Sequence, residues 1–166
     1  MALKDGMLME LKHEMANTRK MLERVPFEKA TFKPHEKSHA LSSLATHIAR
    51  LPSWVTRVVT LPEFNVGDPN AFPKFEPLTS TQQVLDTFDK NVVEATKTLE
   101  AASDEALVTP WTFRNGEQVI FTLPRVAAIR SMGLSHMYHH RGQLSVYLRL
   151  LDVPIPGMYG PSADEK

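Results

Sequence analysis

Four long stretches of the chain repeat apolar residues every three to four positions, and links that contain proline separate them. This spacing places apolar side chains along one face of an α-helix. The stretches cover residues 3–24, 38–59, 81–102 and 124–151. Because such faces must pack against one another, the sequence predicts an all-α fold in a single domain over residues 1–166.

Local signals mark where these helices begin and end. Ser38 is a predicted N-cap of the second helix, and Pro52 inside that helix predicts a kink or an early end because proline has no backbone N–H. Ser80 and Gln83 match a capping box at the start of the third helix. Pro124 is tolerated in the first turn of the fourth helix.

The lengths of the links predict the order of the helices. The first link is short and broken by Pro26, which favours antiparallel neighbours. The second link is long enough to span roughly 65 Å when extended, whereas a helix of this size is only about 33 Å long. It also contains several prolines, namely Pro62, Pro69, Pro73 and Pro77. The sequence therefore predicts an up-down-down-up four-helix bundle with a long crossover between helices two and three.

Two shorter segments complete the predicted fold. Asn115-Gly116 lies between runs rich in β-branched and aromatic residues, which predicts a small two-stranded β-hairpin between helices three and four. The prolines and glycines of residues 154–161 are incompatible with a helix, so we expect an extended C-terminal tail.

Composition excludes several classes of protein. The 19 Lys and Arg residues balance the 19 Asp and Glu residues, which argues against a nucleic-acid partner. No apolar run approaches the roughly 20 residues that cross a bilayer, and the first residues do not resemble a signal peptide. We therefore expect a cytoplasmic protein without a membrane partner. Because cysteine is absent, a bound metal would need His, Asp or Glu ligands.

Histidine spacing predicts a metal site. His136 and His140 lie four residues apart, so both imidazoles face the same side of the fourth helix, on the apolar line that should meet the core. His35 and His39 share this spacing but straddle the start of the second helix. His47 lies between Leu44 and Leu51 and is the best third ligand. The alternative is three core histidines, each satisfied separately.

The other histidines have weaker claims to the site. His139 could substitute as a ligand, but it points about 60° away from His136 around the helix axis. We interpret His139 as a rim residue or a solvated side chain. His13 falls off the apolar face of the first helix, and we expect it to be exposed.

Three strings together resemble the DinB-like, damage-inducible family. They are Leu44-Ala45-Thr46-His47, the run from His136 to Leu144, and the tail from Tyr159 to Glu165. The resemblance covers nearly the whole chain and implies an up-down-down-up four-helix bundle. It also implies a divalent metal, nickel or zinc, held by His47, His136 and His140, and it suggests a homodimer.

The resemblance also limits the function. Three imidazoles leave an open coordination position, which is typical of catalytic sites. Some relatives of the family are similar to metal-dependent transferases that join a low-molecular-weight thiol to an electrophile, and others resemble amidases. We therefore expect a metal-dependent thiol S-transferase or hydrolase that acts on a small molecule in stress or detoxification. The alternative is a non-catalytic stress-induced protein with a structural metal.

Roles for the remaining polar residues stay open at this point. Arg141 and Gln143 could fix a substrate carboxylate or orient a carbonyl that contacts a metal ligand, or they could form an interhelical salt bridge and a polar interface contact. Tyr159 could line a pocket or anchor the tail by packing. The possible general bases are the carboxylates of Glu10, Glu14, Asp164 and Glu165. The simpler interpretation is that these side chains are solvated. The aromatic residues favoured as core or interface are Trp54, Trp111 and Phe113.

Overall fold

The computed structural model describes residues 2–72 and 76–165, so Pro73 of the second link lies outside the described residues. The protein is mostly helical and carries a small sheet. The helices are α1 (Leu3–Leu22), α2 (Leu41–Arg50), α3 (Ser53–Thr60), α4 (Thr81–Ala101), α5 (Asp104–Leu107), α6 (Arg125–Ala128) and α7 (His136–Leu150). A 3₁₀ turn covers Phe27–Lys29, and a π-helical segment covers Ile129–Ser135. The strands are β1 (Glu63–Asn65), β2 (Pro110–Asn115) and β3 (Gln118–Pro124).

The core lies where the long helices meet. α4 packs against α1, α2 and α3, while α7 packs against α2 and α1. The predicted apolar face of the second helix is buried, including Leu41, Ile48 and Val55. Within residues 2–72 and 76–165, none of the helices is both long enough and apolar enough to cross a membrane.

The second predicted helix is two helices. α2 begins at Leu41 with Ala40 at its N-cap, so the predicted cap at Ser38 is wrong. The break predicted at Pro52 is confirmed, because α2 ends at Arg50 and α3 begins at Ser53. Leu51 and Pro52 keep helical backbone angles across the break. The side-chain face that starts on α2 therefore continues onto α3.

The fourth predicted helix begins later than expected. Pro124 is the last residue of β3 rather than the first turn of a helix, and the π-helical segment separates α6 from α7. The His136 N–H donates to the Ser131 carbonyl, five residues back. A π-helical turn holds one extra residue, so the side chains after it are rotated by about 100° from the α-helical register. This rotation sets the direction of His136 and all of α7.

The capping box before α4 is confirmed with one difference. The Ser80 hydroxyl accepts a hydrogen bond from the Gln83 N–H, as predicted. The Gln83 side chain, however, accepts from the Thr79 N–H at 3.0 Å rather than from that of Ser80. The Gln83 side chain therefore also holds Thr79, the residue of the preceding link that comes before Ser80.

The all-α class is corrected by a three-stranded sheet. The predicted hairpin is present, because β2 and β3 pair antiparallel around Gly116, whose φ of 57° suits glycine. β1 adds a parallel third strand to β2. The Asn65 side chain also accepts a hydrogen bond from the Gly116 N–H at 2.8 Å. In a hairpin alone, one edge of β2 would have unpaired backbone N–H and C=O groups. The link between α3 and α4 passes close enough for β1 to hydrogen-bond to this edge.

The described part of the C-terminal tail contains no helix, as predicted, but it folds into a hydrogen-bonded loop instead of staying extended. Asp164 accepts hydrogen bonds from Arg149 at 2.7 Å and from the Ile155 N–H at 2.8 Å. Glu165 accepts from the Gly157 N–H at 2.9 Å. Both residues are exposed, as the predicted solvated carboxylates would be, and neither lines the histidine cavity. They also hold the tail against itself and against α7.

Acid should release this tail in a defined pH range. Hydrogen bonding to Arg149 and to the Ile155 N–H lowers the pKa of Asp164 from 3.8 to about 2. A carboxylate with a lowered folded-state pKa stabilises the fold fully above its unfolded pKa, and this contribution is lost as the pH falls through the folded value. We expect protection of the Ile155 amide in hydrogen-exchange NMR to disappear between about pH 4 and pH 2. In Asp164→Asn the protection should be low throughout; a wild-type profile would exclude this anchor.

Candidate metal centre

Three imidazoles from two helices converge on one point. His47 projects from α2, and His136 and His140 project from α7. The Nε2 atoms of His47 and His136 lie 3.2 Å apart. The ring centroid of His47 is 5.0 Å from that of His136 and 4.5 Å from that of His140. One ring nitrogen of each histidine lies within 4.8 Å of the others.

These separations suit a shared cation. A zinc–imidazole bond measures about 2.0–2.1 Å, so two ligand nitrogens on a tetrahedral ion lie roughly 3.3 Å apart. The 3.2 Å between His47 and His136 is close to that value. The three residues therefore fit a divalent metal in geometry and in donor type.

Hydrogen bonds to the other ring nitrogens fix the orientation of two of these side chains. Nδ1 of His140 lies 2.8 Å from Oε1 of Gln143, an arrangement in which Nδ1–H donates and Nε2 stays available. The His136 side chain hydrogen-bonds the Met132 backbone, one turn earlier. Metal-binding histidines usually have such partners, which select the tautomer that can ligate. Gln143 therefore orients the His140 ring directly, a role that the sequence analysis did not assign to it.

Electrostatics keeps the three rings neutral. Burial, followed by the nearby His140 and His136, lowers the pKa of His47 from 6.5 to about 4. Burial is also the main cause that lowers the pKa values of His136 and His140. Neutral imidazole is the form that donates a lone pair to a metal, so the site is ready to bind near neutral pH.

The histidines lie on the wall of a large cavity. Its volume is about 880 Å³, within the range of pockets that hold small-molecule ligands. It lies between α2–α3 on one side and α4 and α7 on the others. Besides the three histidines, its wall includes Ser43, Thr46, Trp54, Phe72, Thr87 and Asn91. A ligand in this cavity could reach an open coordination position.

The cavity wall is positively charged. Arg50, Arg57 and Lys90 contribute to it, and the described residues that line it include neither Asp nor Glu. Glu10, a predicted candidate base, instead accepts hydrogen bonds from Arg130 at 2.6 Å and from Tyr138 at 2.9 Å. The charge of the wall therefore favours anionic or neutral small molecules over cationic small molecules.

Arg141 and Tyr159 lie on the opposite side of α7 from the cavity. Arg141 is buried and forms an ion pair with Glu14 of α1 at 2.8 Å, and it also donates to Thr18. Tyr159 donates to Glu14 and accepts from Arg141. The predicted substrate-binding roles of Arg141 and Tyr159 therefore lack support, while the predicted alternative of an interhelical salt bridge is confirmed. Glu14 is buried, so its interpretation as a solvated carboxylate is wrong.

The remaining histidines take the positions that the sequence predicts, with one addition. His139 and His13 are exposed, and so is His35. His39 is exposed too, but it lines the outer part of the cavity. Its backbone carbonyl accepts a hydrogen bond from Tyr147 of α7 at 2.9 Å.

Residues after His47 that the sequence analysis missed share its face of the helix. Arg50, Trp54 and Arg57 follow it at intervals of three or four positions, and all three line the cavity. Trp54 was expected in the core, and its ring does pack there while one edge meets the cavity. The sequence signal that could have identified them was the helical spacing of Arg50 and Arg57 from His47, next to the apolar face of the helix. Trp111, by contrast, is fully buried as predicted.

Comparison with known proteins identifies a family that this chain matches. The profile of the DinB family matches residues 2–166. An uncharacterized protein, YrdA of Bacillus subtilis (strain 168), is 34% identical over 65 residues, which are 37% of this chain and 38% of that protein. The match thus spans well under half the length of this relative.

Solved structures resemble nearly the whole chain. A DinB-like protein from Bacillus cereus ATCC 10987 has a TM-score of 0.72 at 23% identity, covering 93% of this chain and 97% of that one. The DinB-like protein YjoA from Bacillus subtilis has a TM-score of 0.67 at 16% identity, covering 96% of each chain. A putative DinB family member from Exiguobacterium sibiricum 255-15 has a TM-score of 0.63 at 19% identity, covering 99% and 98%. At these identities the likeness concerns the fold.

Breaking the buried ion pair should lower stability without emptying the metal site. Glu14→Gln leaves Arg141 charged and buried without a counterion, which should cost about 3–5 kcal/mol in urea unfolding. Asp89→Asn breaks the surface pair with Arg19 and should cost about 1 kcal/mol or less. Zinc content should be unchanged in both variants. Loss of zinc in Glu14→Gln with little change in stability would mean that this network serves the site.

Proposed function

The chain belongs to the DinB family, and from that premise we propose that it is a metal-dependent enzyme that acts on a small molecule. His47, His136 and His140 would hold one divalent ion, nickel or zinc. Imidazole accepts several first-row metals, so availability would decide between them. The observation that carries the proposal is the convergence of three neutral imidazoles on the wall of an 880 Å³ cavity.

The composition of the cavity wall favours thiol S-transfer over hydrolysis. A bound divalent ion stabilises a thiolate and so supplies a nucleophile without a protein base. Hydrolysis is usually assisted by a carboxylate or histidine base that accepts a proton from water. Among the described residues of the wall, Asp and Glu are absent, and His39 is the histidine besides the three proposed ligands. His39 is exposed, and its carbonyl rather than its ring has the hydrogen bond that the fold supplies. The carboxylates with a predicted role as base are engaged elsewhere, Glu14 with Arg141 and Asp164 with Arg149.

The residues around the histidines would hold the site rigid. The Thr46 hydroxyl accepts a hydrogen bond from the Leu78 N–H at 2.8 Å, which fixes the end of the second link beside His47. Asn91 of α4 donates to the Ala49 carbonyl of α2 at 3.0 Å. Both contacts hold α2 against its neighbours, so the ligand on α2 would stay in place when the cavity is empty.

Family membership also supports two finer proposals on the fold. α1, the α2–α3 pair, α4 and the α6–α7 segment would be the four helices of an up-down-down-up bundle. Two chains would associate as a homodimer, as the resemblance to the family implies.

A structural metal is the second candidate function. His47 precedes His136 by 89 residues, so an ion would cross-link α2 to α7. Such a link would stabilise the fold, in a non-catalytic stress-induced protein, by the binding energy of the ion. The two candidates differ in what happens to the fold when the metal is removed.

Replacing single histidines should identify the ligands. We expect His136→Ala and His140→Ala each to abolish the binding of about one zinc or nickel ion per chain, measured by elemental analysis after dialysis. His139→Ala is the matched control on the same helix, and His35→Ala and His39→Ala test the other pair with the same spacing. All three controls should bind metal as the wild type does. Full retention of metal in both His136→Ala and His140→Ala would remove the assignment.

Removing the metal should separate the catalytic from the structural candidate. If the metal is catalytic, chelation with EDTA should change the melting temperature by only a few degrees, because the core is packed without it. The apo protein should also keep its far-UV circular dichroism and rebind zinc. A fall of many degrees, with loss of helical signal, would favour the structural metal.

A further inference from the structure

We propose that Arg57 is a substrate-binding residue that receives a carboxylate group of the ligand, at a distance from the histidines within the same cavity. This inference rests on the proposed function, because it concerns the ligand of that site. It adds the chemical class of the molecule: an extended carboxylate with an aromatic or apolar segment.

Aromatic rings hold the Arg57 guanidinium in place. Its central carbon lies 5.3 Å from the ring centroid of Trp54, 5.5 Å from that of Phe64 and 5.4 Å from that of Phe72. Such cation–π contacts stabilise the charge and restrict the orientation of the planar group. They engage the faces of the rings and leave the N–H donors of the guanidinium available.

Arg57 has no acceptor for those donors among residues 2–72 and 76–165. No hydrogen bond or salt bridge joins it to the described part of the chain, although the side chain is half-buried. Burial lowers its pKa, as expected for a cation without a nearby counterion. A partly desolvated guanidinium gains strongly from an oxyanion, which accepts two parallel hydrogen bonds from its fork.

Other arginines in the fold have protein partners. Arg141 pairs with Glu14, Arg114 pairs with Glu63, and Arg125 donates to the carbonyls of Val58 and Leu61. Arg57 differs because it lines the cavity while its surroundings supply aromatic rings instead of carboxylates. Among the described residues, this leaves the guanidinium donors available to a bound ligand.

The position of Arg57 sets the length of the ligand. It follows His47 by ten residues along the α2–α3 path, which corresponds to about 15 Å at 1.5 Å per residue. Trp54 and Phe72 line the cavity beside it. A carboxylate at Arg57 would therefore place an apolar segment on these rings and direct the reacting end of the molecule toward the histidines.

Calorimetric titration with a matched pair of probes tests the charge requirement. 3-Phenylpropionate carries the carboxylate, and 3-phenylpropionamide is its neutral analogue of the same shape. We expect the metal-free wild type to bind the carboxylate at least tenfold more tightly than the amide. Arg57→Gln should weaken carboxylate binding at least tenfold, to the level of the amide, and Arg57→Lys should recover part of it.

Control variants separate this site from the metal site. Arg24→Gln removes a cation outside the cavity wall and should leave both affinities unchanged, and zinc content should be normal in Arg57→Gln. His140→Ala should lose zinc but keep carboxylate binding, so failure of the metal assignment would leave this result intact. The proposal is overturned if the wild type binds neither probe, if both probes bind equally, if Arg57→Gln binds the carboxylate normally, or if carboxylate binding requires zinc.

Discussion

The packing of α7 against α2 is the contact on which the rest of the structure depends. It brings His136 and His140 to His47, so the site exists only when the long-range fold is complete. Three imidazoles facing one another without a counterion would repel if charged, and burial keeps them neutral instead. The same contact thus assembles the donors and selects the protonation state in which they bind a metal.

Elements of the fold that depend on local sequence signals were predicted well. Elements that depend on long-range pairing were predicted poorly. The cap at Ser80, the break at Pro52 and the turn at Gly116 each depend on a few neighbouring residues, and each is present. β1 was missed because a three-residue strand has no periodic signal of its own and forms only where it meets β2. The π-helical segment was missed for a similar reason, since strict α-helical spacing carries no sign of one extra residue.

The convergence of the three histidines was predictable, whereas their surroundings were not. His136 and His140 share a helical face by spacing alone, His47 was the best third candidate from its place between Leu44 and Leu51, and the resemblance to the family implied the same three residues. The expectation that these rings face the core holds only in part, because they are half-buried on a cavity wall. Contacts such as Glu14 with Arg141 join residues 127 positions apart. Spacing within one helix cannot predict which distant helix supplies a counterion.

The two sides of α7 show how polar groups in this fold divide between stability and binding. Toward α1, the buried Arg141 is fully occupied by Glu14, Thr18 and Tyr159, so little hydrogen-bonding capacity is left for a ligand. Toward α2, Nε2 of His47 and Nε2 of His136 hydrogen-bond each other at 3.2 Å on the cavity wall. Evolution of a stable fold favours the first arrangement, because buried polar groups without partners are costly. The second arrangement leaves nitrogens that can donate to a metal on the wall of a cavity that a ligand could enter, which is the physical reason to place function on the cavity side.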